Sequence, residues 1–131
     1  MKEPRWIDRR AMLHLHSASL AEHGGLAGIR DETLLDSALH RPRDRFAYES
    51  KADVFAVAAA YGFGLAKNHA FHDGNKRVAF LAIGLFLSLN GYRLVCDQLD
   101  AIRTIMSLAA GNLEEDPLAA CIREHAVARA D

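Results

Sequence analysis

His69-Ala-Phe-His-Asp-Gly-Asn-Lys-Arg77 runs without a break into Val78-Ala-Phe-Leu-Ala-Ile-Gly-Leu-Phe-Leu-Ser-Leu89. A polar loop carrying histidine, carboxylate, glycine, amide and two cations therefore opens directly into an apolar helix. The start of a helix exposes unpaired N–H groups and the positive end of the backbone dipole, so this junction is a natural anion site. Gly74 lets backbone approach a ligand closely, and Asn75 supports the unusual turn that such a cradle needs. Lys76 and Arg77 place two positive charges in the first helical turn, where they disfavour the helix itself. A bound polyanion, phosphate above all, would relieve that conflict.

The apolar run is bounded by charges and by Asn90-Gly91. It falls short of the roughly 20 residues needed to span a bilayer. A helix apolar on nearly every side belongs at the centre of a helical domain, which gives the loop a rigid mount.

Working outward, helical periodicity dominates and no period-2 strand stands out. A first helix is expected over Ile7 to His23, stopped by Gly24-Gly25. Asp31 starts a second, which Pro42 should close. Arg41 to Ser50 then reads as a charged, aromatic surface loop or edge strand. A third, alanine-rich helix covers about Ala52 to Asn68, its small residues suited to close helix contact. After the central helix, Tyr92 to Cys96 is briefly extended and Asp97 caps a helix from Gln98 to Ala110. Asp116-Pro117 caps a last helix running to about Ala128. The expected fold is all-α, one domain over residues 1–131, with about six helices around a buried central helix.

The 131 residues are half hydrophobic and a quarter charged, with a formal net charge of −1. That balance lacks the basic surplus of a general nucleic-acid binder. The first ten residues contain no apolar signal core and no membrane-spanning segment follows, so a cytoplasmic protein is expected. Cys96 and Cys121 read as buried free thiols.

A histidine is largely neutral at cellular pH and can accept a hydroxyl proton, which makes His69 the candidate base. Asp73 could hold Mg²⁺ that bridges phosphates. Lys76 and Arg77 could neutralise phosphate, one as a point charge and the other as a bidentate fork. Phosphoryl and nucleotidyl transfer need mostly positioning and charge stabilisation, so this set suffices chemically. The same residues also admit a plainer account, with Asp73-Gly74 an ordinary turn, His69 a helix cap and the cations solvated. His69, His72 and Asp73 as transition-metal ligands would lack a further strong donor nearby. His14, His16, His23, His40 and His125 are scattered; His16 or His23 could approach the loop from the first helix, but surface or capping roles fit them as well.

The His69–Arg77 stretch resembles the signature of the Fic/Doc family, and specifically its Doc (death-on-curing) branch. Glu22-His-Gly-Gly25, Gly28-Ile-Arg-Asp31, Leu34 to Leu39, Arg41-Pro42, Tyr48, Ala58 to Tyr61 and Leu89-Asn-Gly91 extend the resemblance over about Leu13 to His125. The resemblance implies that His69 deprotonates a hydroxyl of a target protein and that Phe71 packs beneath the loop. It also implies that Asp73 is the magnesium ligand, that Gly74 and Asn75 form the anion cradle, and that Arg77 pairs with nucleotide phosphate. AMP-transferring members carry glycine at the position of Lys76 and usually a second arginine at that of Phe80. Both departures imply transfer of the γ-phosphate of ATP instead. The resemblance thus points to a kinase toxin that modifies a threonine of elongation factor Tu, blocks translation and is inhibited in trans by a small antitoxin. No internal inhibitory Ser/Thr-x-x-x-Glu helix is evident. An AMP transferase on the same scaffold and a silent antitoxin-binding module are the alternatives. Arg41 to Ser50, with Arg43, Arg45 and Tyr48, corresponds in position to the family's target-docking flap, where a target would add as a strand.

Overall fold

The computed structural model describes residues 2–130, and the side chains of all of these but Gln98 and Ala109. Six helices and one small sheet follow in the order α1 (Arg9–His23), α2 (Glu32–Tyr48), α3 (Val54–Asn68), α4 (Asn75–Leu89), β1 (Tyr92–Leu94), α5 (Gln98–Ala109), α6 (Glu115–His125) and β2 (Ala126–Ala128). The helical fold expected from periodicity is present. One hydrophobic core draws side chains from every helix, among them Met12, Leu35, Val57, Phe86, Ile105 and Leu118.

Helix starts follow local chemistry. The carboxylates of Asp8, Asp31, Asp53 and Asp97 accept backbone N–H groups of Ala11, Leu34, Ala56 and Leu99 at 2.8, 3.0, 2.8 and 2.8 Å. Each satisfies an otherwise orphaned donor and places negative charge at the positive helix end. Gly24, at φ 81°, ends α1 by returning its N–H to the Leu20 carbonyl.

The hub of the fold is α3, with α4 packed beside it. Residues Ala56 to Ala66 of α3 are buried except Phe63, whereas α4 leaves Phe80, Leu81, Gly84 and Leu85 partly exposed. Small side chains explain the exchange of roles. Alanines at 58, 59 and 60 and glycines at 62 and 64 let α2, α4 and α6 approach α3 closely. A Cβ at Gly62 would lie 2.4 Å from Ile83 Cδ1, a separation no packed pair tolerates. Apolar bulk alone marked α4 as central; approach distance decides for α3.

Several boundaries differ from the expectation. Pro42 does not close α2 but lies buried inside it, and the helix continues to Tyr48. Residues 41–48 are therefore neither loop nor edge strand. A proline forfeits one helical hydrogen bond, and here tertiary contacts outweigh that loss. Leu35, Ala38 and Pro42 form one buried face. Three positions beyond Pro42, the Arg45 guanidinium bonds Glu49 Oε2 at 2.7 Å, Glu115 Oε2 at 2.5 Å and Asp116 Oδ1 at 2.6 Å, tying α2 to α6. Arg45 is thus mostly buried in an ion network, Arg43 lies over the Trp6 ring, and Tyr48 alone of the three stands clear at 85% exposure. Helix α6 starts after Glu114, two residues before the expected cap, so Pro117 occupies its third position. It stops at His125 because Ala126–Ala128 pairs antiparallel with Tyr92–Leu94. Cys96 and Cys121 are partly rather than fully buried. No helix among the described residues is long and apolar enough to cross a membrane.

Candidate active site

The loop between α3 and α4 is built from both ends. His69 caps α3 at φ 49°, ψ 47°, and no other non-glycine among the described residues has a positive φ. Arg30 holds this left-handed residue in place, its Nε donating to the His69 carbonyl at 2.7 Å and its Nη2 to the Asn68 carbonyl at 3.2 Å. A cation against the last carbonyls of a helix also complements the negative end of its dipole. The backbone N–H groups of Arg30 and Asp31 both reach the Ala70 carbonyl, at 2.7 and 3.1 Å. The extended segment beside the loop is thus residues 24–31, bridged as Ile29 to Phe71, and not residues 41–50.

At the other end, Asn75 is buried (7% exposed) and turns its carboxamide back on Phe71. Its Oδ1 accepts the Phe71 N–H at 3.0 Å and its Nδ2 donates to the Phe71 carbonyl at 2.9 Å. The Phe71 ring is buried beneath the loop and stacks on the His16 imidazole at 3.7 Å and 12°. Since a carbonyl oxygen can only accept, His16 Nε2 donates to the Asp73 carbonyl at 2.7 Å. His16 was only a loose candidate for this neighbourhood in the sequence. Its place on the buried stripe Met12, His16, Ser19 of α1 is the signal that could have found it.

Helix α4 differs from four of the other five at its start. Gly74 is its N-cap, at φ 77°, and provides no side-chain acceptor. There is no acidic residue in its first turn, only Lys76 and Arg77. The first bond into this turn is Val78 N–H to the Gly74 carbonyl, at 2.9 Å, and the N–H groups of Gly74, Asn75, Lys76 and Arg77 have no acceptor among the described residues. Lys76 and Arg77 are exposed and without an ion-pair partner there. Unpaired N–H groups, the positive dipole end and two exposed cations share this one turn, a combination complementary to a polyanion.

Asp73 is exposed at the edge of this turn. Its Oδ2 accepts the Leu26 N–H at 2.6 Å, which leaves Oδ1 uncommitted. One hard carboxylate oxygen beside an anion site suits Mg²⁺, which takes few protein ligands and completes its shell with water and phosphate. No group of three or more His, Cys, Asp and Glu among the described residues could hold a metal without such help. His69, His72 and Asp73 form no such group. The exposed His72 ring lies beside Gly28. Phe80 points into the apolar seam of Ile83, Leu94, Ile105 and Ile122 and brings no charge to the cradle. His69, Phe71, Asp73, Gly74, Asn75, Lys76 and Arg77 therefore share one loop and one helical turn; His16 and Arg30 join them from distant sequence.

Residues 6–87 match the family model described as the Fic/DOC family. The chain is 33% identical over 119 residues to "Protein kinase doc" of Escherichia phage P1, covering 91% of this chain and 94% of that protein. It is 35% identical over 118 residues to "Toxin Doc" of Mycolicibacterium smegmatis, covering 88% of each.

Proposed function

The chain belongs to the Fic/DOC family, and from that premise we propose that it is the toxin of a toxin–antitoxin pair. It acts in the cytoplasm as a kinase, moving the γ-phosphoryl group of ATP to a threonine hydroxyl of elongation factor Tu. The observation that carries this reading is the uncapped start of α4, where open backbone N–H groups and the unpaired Lys76 and Arg77 await a polyanion.

In this reading the first-turn N–H groups and Arg77 hold the phosphates, and Lys76 meets the charge that gathers on the transferred group. His69 takes the proton of the acceptor hydroxyl as its oxygen bonds to the γ-phosphorus. The bond from that phosphorus to the bridging oxygen breaks, and ADP leaves. Asp73 would hold Mg²⁺, which supplies charge neutralisation between phosphates. Two features favour phosphoryl over AMP transfer. The Lys76 side chain occupies a position that glycine keeps open in AMP-transferring relatives, and Phe80 is committed to the apolar seam. The names of the two relatives, a protein kinase and a toxin, support the same assignment. The antitoxin binds in trans.

Label transfer from ATP in an antitoxin-free translation extract tests the proposal, run with α- and γ-labelled nucleotide and with His69→Ala as the blank. Label arriving on elongation factor Tu from the γ position alone is the expected result. Label from the α position would assign AMP transfer instead, and transfer undiminished in His69→Ala would remove His69 as the base.

A further inference from the structure

We propose that His16 is a positioning residue that creates one of the donors of the phosphate cradle, a step that rests on the kinase reading above. In a trans peptide the carbonyl and the following N–H point in opposite directions within one plane. His16 Nε2 fixes the Asp73 carbonyl toward α1 at 2.7 Å. The Gly74 N–H of the same peptide is thereby turned away from α1, and it has no acceptor among the described residues. It joins the N–H groups of Asn75, Lys76 and Arg77 as a fourth backbone donor to phosphate.

The imidazole is itself held so that it can do this. It is 4% exposed, stacked face to face on Phe71, and Phe71 is locked in turn by the Asn75 carboxamide. A buried ring with one stacked face has little freedom to release its proton donor elsewhere. Gly74 itself is called for by its left-handed backbone, not by crowding from His16. A Cβ there would lie 3.4 Å from His16 Nε2 and 3.3 Å from Leu20 Cδ2, on a backbone with φ 77°.

Two variants separate aiming from packing. His16→Phe keeps an aromatic face for Phe71 and removes the donor. His16→Gln loses the ring but carries Nε2 the same number of bonds from Cα. Binding of ATP with Mg²⁺ is measured by calorimetry, and the backbone amide signal of Gly74 is followed by NMR during the titration. In the wild type, the Gly74 amide proton is expected to move strongly downfield as phosphate becomes its acceptor. His16→Phe is expected to lose that shift and to bind about ten- to a hundredfold more weakly, the usual weight of one hydrogen bond to a charged group. His16→Gln should recover the shift and bind within about threefold of wild type, since its donor is in place. Normal binding and a normal Gly74 shift in His16→Phe would overturn the role of His16 and leave the nucleotide site standing. A wild-type chain that binds no ATP would overturn both. Should His16→Phe not fold, the ring-nitrogen signals of the wild type decide, because a proton on Nδ1 instead of Nε2 is incompatible with the bond to Asp73.

Discussion

The Asn75 carboxamide closes a two-bond ring with the backbone of Phe71, accepting its N–H at 3.0 Å and donating to its carbonyl at 2.9 Å. All of these groups are buried, so the loop has no water to fall back on if the amide is lost. Each buried group left unpaired costs about 1–3 kcal/mol. Asn75→Ala orphans both and should lower the unfolding free energy by about 2–4 kcal/mol in denaturant titrations. Asn75→Asp keeps the acceptor but sets a carboxylate oxygen against the Phe71 carbonyl, so it is expected to be no better than alanine at neutral pH. An Asn75→Asp protein as stable as wild type would show that the ring does not hold the loop.

His69 is held at φ 49°, where a side chain is strained and glycine is not. His69→Gly should therefore be more stable than His69→Ala by about 1 kcal/mol, although both lack the imidazole. Paired melting curves measure the difference, and both variants should be inactive in label transfer. Equal stability would mean that the backbone relaxes out of the left-handed region once the histidine is gone.

What could be read in the sequence was local. Asp31 and Gly24 mark helix ends through residues a few positions away, and the candidate residues of His69–Arg77 lie together because they fall within nine positions of one loop and one helical turn. Pro42 misled because its local rule is sound, and only contacts to α3 and α6, about 20 and 70 positions on, carry the helix through it. His16 was obscure for the same reason, since its partner Asp73 lies 57 residues later. Ala126–Ala128 has a helix-forming composition and becomes a strand only because Tyr92–Leu94 offers it an edge.

The Arg45 guanidinium spans Glu49, Glu115 and Asp116 with three separate nitrogens. Burial works against its charge, but the bond to Glu49, the charge of Glu115 and the bond to Asp116 outweigh it and push its pKa up. A planar fork is required for that span, and a lysine ammonium cannot reproduce it. Arg45→Lys should destabilise the protein by about 1–2 kcal/mol, and Arg45→Met by more, because Glu115 then keeps its charge with one partner fewer. Urea unfolding measures both. Arg45→Lys at wild-type stability would reduce the network to an exposed ion pair of little weight.

Tyr61 lies fully buried on α3, where its hydroxyl accepts the Ile7 N–H at 3.0 Å and donates toward the Ile7 carbonyl at 3.4 Å. This pins the segment before α1 to the hub helix, so Tyr61→Phe should cost about 1–3 kcal/mol through the orphaned N–H. Burial pushes the Tyr61 pKa up, partly opposed by the bond to Ile7 and by Arg43. The folded chain therefore keeps the phenolic proton at a pH where the unfolded chain, with a tyrosine pKa of about 10, gives it up. More protons bound to the folded state means that stability falls as pH rises past that value, by up to about 1.4 kcal/mol per pH unit for this one group. Unfolding free energies of wild type and Tyr61→Phe, compared from pH 9 to 11, should converge as the wild type loses this contribution. Parallel curves would place the phenol in contact with water and undo the pinning argument.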